Sequence, residues 1–82
     1  MNTFSKEAAI DAVMALVREE LVRATAKFGP FASAHEGYAV IAEEVDELWD
    51  DVKANDADGA IAEAVQVAAM GARFVLDMEG RA

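Results

Sequence analysis

The sequence predicts an all-α fold of three helices, with the second and third forming an antiparallel hairpin that oligomerises into a helical bundle. Three observations carry this. Apolar residues recur at three- and four-residue intervals over three long stretches, the spacing that places them on one helix face. Those stretches are broken only at Gly29-Pro30 and at Asn55 to Gly59, both rich in turn-forming residues. Nothing in the pattern suggests strands.

Thr3 and Ser5 offer capping side chains, and Lys6 to Lys27 then runs without proline or glycine. Ile10, Val13, Met14, Val17, Leu21, Ala24 and Phe28 form the stripe that this first helix should bury. Arg18, Glu19, Glu20 and Arg23 lie mostly off it and read as a solvated face with weak intrahelical pairs. Gly29 and Pro30 should end the helix, glycine by accepting a left-handed turn and proline by breaking the ladder. The connector carries Phe28 and Phe31, which anchor the loop onto the core or line a base-binding pocket.

Ser33 followed by Glu36 fits a capping box, so the second helix should run from about Ala34 to Lys53 or Ala54. His35, the one histidine, falls in its first turn as a surface or pocket-rim residue. Further along, Ile41, Val45, Leu48, Trp49 and Val52 gather on one side, with Glu43, Glu47 and Asp50 opposite and Glu44 and Asp51 flanking them. Glu44 and Glu47 are three residues apart, which puts their Cβ atoms roughly 5 to 6 Å from one another. Like charges this close repel unless something positive lies between them. A hard divalent cation would supply that charge, and so, more weakly, would solvent and salt.

Asn55 to Gly59 reads as a short link, with Asp56 or Asp58 capping a third helix from about Asp58 to Glu79. From Ala60 through Leu76 the strongly polar residues are Glu63, Gln66 and Arg73. A helix apolar almost all round should be buried, and burying Glu63 there costs several kcal/mol, on the order of 3 to 5, unless it is compensated. Two readings stay open. Glu63 pairs with Lys27 or Arg73 while Gln66 hydrogen-bonds across a subunit interface, or Glu63 faces Glu44 and Glu47 and completes an oxygen site for Mg²⁺. Nineteen alanines let helices approach closely, so that two hairpins could form a four-helix core.

Eighty-two residues make a single domain, 1–82, too short for an isolated monomer to be more than marginal, so self-association is expected. The chain has no cysteine, which leaves oxygen or His35 to hold any metal. Sixteen acidic against 7 basic residues give a net charge of −9 and disfavour a nucleic acid polymer as partner. A nucleotide carried by Mg²⁺ remains compatible, because the cation reverses the local sign. No basic flank precedes an apolar region at the N-terminus, and no apolar run approaches the ~20 residues that span a bilayer. The expectation is a cytoplasmic protein with no membrane partner.

Glu43-Glu44-x-x-Glu47, then 15 residues, then Glu63-x-x-Gln66 on an apolar helix, resembles the EExxE and ExxD signature of the MazG-like, all-α nucleoside triphosphate pyrophosphatase superfamily. The Lys27 to Pro30 segment and the run from Glu36 to Asp50 are similar to its small members, and the resemblance covers roughly residues 10 to 78. It implies a homodimer or homotetramer that binds Mg²⁺, with Mn²⁺ as substitute, on carboxylates from two antiparallel helices. Family members cleave a nucleoside triphosphate between the α and β phosphates.

Carried onto this chain, the resemblance implies metal ligands at Glu44, Glu47, Glu63 and Gln66, a water-orienting carboxylate at Glu43, and substrate contacts at Lys27 and Phe31, with Arg73 a more distant phosphate contact. Gln66 stands where the family has its final aspartate and lowers the charge of the site by one. The chain also stops just after the third helix, where many relatives continue. The alternative is a non-catalytic helical oligomer that serves as a binding or regulatory module.

Overall fold

The computed structural model describes residues 5–79 as three α-helices, α1 (Lys6–Lys27), α2 (Ala34–Lys53) and α3 (Ala57–Met78). Among those residues 85% are helical and none lies in a strand. Each helix starts at a side-chain cap. Ser5 Oγ accepts from the Ala8 N–H at 3.0 Å, Ser33 Oγ from Glu36 at 3.1 Å, and Asp56 Oδ1 from Gly59 at 3.0 Å. The return arm of the α2 cap goes from the Ala32 N–H to Glu36 Oε1, one residue earlier than in an ideal capping box. Thr3, the other expected cap, lies outside the described residues.

The end of α1 differs from expectation. Phe28 is extended there (φ −118°, ψ 146°) with its N–H on Ala24 O, and Gly29 does not adopt the left-handed conformation. Pro30 is the physical reason, because a residue before proline is driven toward extended backbone. Among the described residues the left-handed one is Asn55, at φ 58° in the link to α3. Its short polar side chain makes that conformation tolerable. Beside this link a Cβ on Gly59 would crowd the Asp56 carboxylate, so a side chain there would make the capping group shift.

The short link makes α2 and α3 an antiparallel, closely packed hairpin, and α1 packs on α3 rather than on α2. The core joins Val17 and Ala24 of α1 to Ala69 and Met70 of α3, with Val40 and Ile41 of α2 and Val65 against them. Small residues set the spacing. Ala24 and Ala69 let α1 approach α3, and Gly37 lets α2 approach α3, since a Cβ there would lie 2.6 Å from the Phe74 ring and 3.1 Å from Phe31.

Two burial expectations are overturned within the single chain. Ile10, Val13, Met14 and Phe28 of the α1 stripe stay half exposed, and only Val17 and Ala24 are buried there. On α3 only Ala69, Met70 and Arg73 are buried, while Ile61 and Val75 are 63% exposed. Two neighbours cannot enclose a helix that is apolar all round. Trp49 is also open, at 56%. As a continuous 22-residue helix, α3 is long and apolar enough to cross a bilayer on length and composition alone. Its few charges had divided it into shorter apolar runs in the sequence; a core helix passes the same test.

Candidate metal centre and adjoining cleft

Three carboxylates converge where α2 and α3 face each other. Glu44 and Glu47 project from successive turns of α2 and Glu63 from α3, and one oxygen from each lies within 4.8 Å of the others. Glu44 and Glu63 are partly buried and Glu47 is exposed, so the group opens to solvent on the Glu47 side. Facing carboxylates offer each other only acceptors. Glu63 Oε2 is accordingly buried without a hydrogen-bond partner, an arrangement that costs about 1 to 3 kcal/mol or more for a charged acceptor.

The electrostatics point the same way. Burial first, then sharing of a proton with Glu63 and the charges of Glu47 and Glu63, push the Glu44 carboxyl from the usual 4.5 up to about 7. A proton or a hard cation between the groups relieves the repulsion and satisfies the orphaned oxygen. The donor set is all oxygen, the chemistry that suits Mg²⁺ or Mn²⁺. Of the two open readings, the pairing of Glu63 with Lys27 or Arg73 does not occur. Arg73 is committed to Asp77, and Lys27 has no acidic partner among the described residues, its Nζ lying 5.3 Å from the Phe28 ring centre.

A cleft of about 600 Å³ adjoins the carboxylates and takes Glu44 and Gln66 into its wall, a size in the usual ~300 to 1,000 Å³ range of small-molecule sites. Lys27 and the connector from Phe28 to Phe31 line it as well. Phe31 is 1% exposed, so it serves as an anchored wall with Arg73 Cζ 3.9 Å from its ring centre. Gln66, one turn beyond Glu63, turns its amide toward Glu20 of α1. Glu43 is exposed and does not line the cleft, and His35 is exposed and apart from the carboxylate group.

Two residues given no role from the sequence belong to this site. Glu20, assigned to a solvated face, lines the cleft with its side chain only 14% exposed. The Arg23 guanidinium holds its carboxyl below the usual value against the effect of burial, helped by the Gln66 amide. Asp77 is the other. Its Oδ2 accepts from the Phe31 N–H at 2.9 Å and lies 3.5 Å from Arg73 Nε, while Arg73 Nη2 donates to Gly29 O at 2.8 Å. The available signal was spacing, because Glu63, Gln66, Met70, Arg73 and Asp77 follow one another by three and four along α3.

Comparison of the chain with protein-family models, with curated proteins and with solved structures gives no match.

Proposed function

We propose that this chain is a cytoplasmic, Mg²⁺-dependent nucleotide pyrophosphohydrolase of the MazG-like kind, converting a nucleoside triphosphate to a monophosphate and pyrophosphate. The observation that carries the reading is the buried, donorless Glu63 Oε2 within reach of Glu44 and Glu47 at the edge of a nucleotide-sized cleft. Glu44, Glu47 and Glu63 would hold the cation, with Gln66 adjoining them. Bound there, Mg²⁺ or Mn²⁺ would neutralise phosphate charge and polarise the phosphoryl group.

The remaining roles fall to the chain itself. Lys27, a cation on the cleft wall with no acidic partner among the described residues, meets phosphate oxygens. Phe31 shapes the side against which the nucleoside packs. Glu43, exposed beside Glu44, orients water from the solvent side. The half-exposed Val13, Trp49, Ile61 and Val75 support a homodimer or homotetramer, in which a second copy covers what one chain leaves open.

A panel of nucleoside triphosphates, assayed for pyrophosphate release with and without Mg²⁺, tests the activity. Metal-dependent release that disappears in Glu47→Ala is the expected result. A rise in melting temperature with Mg²⁺ but no release from any nucleotide would favour the second reading, a non-catalytic binding oligomer, to which Gln66 in the place of an aspartate lends support. Sedimentation should show at least a dimer, and a stable monomer at micromolar concentration would sink that part of the proposal.

A further inference from the structure

The polar stripe of α3 has two ends. Its N-terminal end, Glu63, faces Glu44 and Glu47. Arg73 lies ~15 Å further along at ~1.5 Å per residue, and with Asp77 it holds the connector between α1 and α2. The two bonds involved, Arg73 Nη2 to Gly29 O and the Phe31 N–H to Asp77 Oδ2, bracket Pro30 and span 44 and 46 residues of sequence. Both side chains are only 8% exposed. The cleft has Arg73 and Glu44 among its walls, so one cavity joins the two ends.

We propose that Arg73 and Asp77 are positioning residues for the nucleotide: by clamping Gly29 and Phe31 to α3 they fix Lys27 and Phe28 at the wall of the cleft. This rests on the nucleotide reading above. Arg73 is not itself the phosphate contact. Its Nε faces Asp77, its Nη2 serves Gly29, its Nη1 lies 3.8 Å from Met70 Sδ, and its face stacks on Phe31. Its charge is offset by Asp77, whereas Lys27 has no acidic partner among the described residues. Proline removes one N–H from the connector, leaving few backbone groups by which it can be held. A planar fork that bonds in two directions while stacking is a task for arginine that lysine does not duplicate.

The test uses the full chain, with Mg²⁺ alone and with Mg²⁺ plus the α,β-methylene analogues of adenosine, guanosine, cytidine and uridine triphosphates as probes. Arg73→Lys keeps the charge and loses the fork. Asp77→Asn keeps an acceptor for Phe31 and loses the charge, so it reports even if the lysine variant folds poorly. Well below their melting temperatures both should bind the preferred analogue about tenfold more weakly or worse, with the Mg²⁺-induced rise in melting temperature unchanged. Adding Lys27→Ala to Asp77→Asn should cost little more, because the clamp acts through Lys27. A role confined to stability would lower the melting temperature and leave those affinities alone. Equal affinity in wild type and both variants overturns the inference by itself. A wild-type chain that responds to Mg²⁺ and binds none of the analogues overturns the nucleotide reading and this inference with it.

Discussion

Glu63 Oε2 on α3 is buried without a donor, and the Glu44 carboxyl facing it from α2 is pushed up to about 7. Burial between the helices comes first for Glu44, and the facing carboxylates of Glu47 and Glu63, with nothing positive between the groups, add to it. The predictions about metal and pH follow from this combination of burial and like charge.

Without metal the chain should lose stability as the pH rises. Glu44 has a raised value in the fold, so its contribution is complete below the ordinary carboxylate value of about 4.5 and is lost as the pH climbs through about 7. Melting temperature should therefore fall between about pH 5 and about pH 8. Glu44→Gln should flatten that fall. Saturating Mg²⁺ should reverse it, because cation and proton compete for the same oxygens. A flat profile in the metal-free wild type would remove the basis for the shift.

Glu47→Ala should abolish stabilisation by Mg²⁺, which acts by mass action on the folded state alone. The same change should slightly raise the metal-free melting temperature, since the Glu47 charge is one of those acting on Glu44. The two effects are opposite in sign. Calorimetric scans with and without Mg²⁺ would separate them.

Gln66→Asp should bind Mg²⁺ more tightly and be less stable without it. A fourth carboxylate adds a negative ligand beside Glu63, and it also removes the amide that supports Glu20. Melting temperature against Mg²⁺ should therefore give curves that cross for wild type and variant. An equal loss at every Mg²⁺ concentration would identify Gln66 as a structural amide bridging α1 and α3.

Gly37→Ala should destabilise the fold despite its better helix propensity. The propensity gain is about 1 kcal/mol, whereas overpacking costs about 1 to 3 kcal/mol. The added Cβ would sit 2.6 Å from the Phe74 ring and 3.1 Å from the buried Phe31. Urea denaturation should show a lower midpoint. A higher midpoint would mean that both rings move aside freely.

Much of the fold was legible because capping and helix periodicity act over a few residues. Ser5, Ser33 and Asp56 cap the three helices, and α1 and α2 run over the ranges their patterns indicate. The pairing of Glu44 with Glu47 follows from their spacing alone. Burial was less legible, because Val13 and Ile61 have the spacing of a buried stripe whether or not a neighbour is present to cover them. Glu20 was read as solvated for a related reason: position on an isolated helix does not say which side a cleft will take.

By itself the sequence determined three helices, the ranges of α1 and α2, the Ser33 cap, and a polar stripe on an otherwise apolar α3. Tertiary structure alone decided which stripes meet. That choice depends on the rotation and axial register of one helix against another, which close contact at Gly37, Ala24 and Ala69 fixes and no local pattern encodes. Register brings Glu63 of α3 to Glu44 of α2 rather than to Lys27 of α1. It also hands Arg73 to Asp77 and the connector, because a buried guanidinium must find its acceptors where the packed backbone happens to present them.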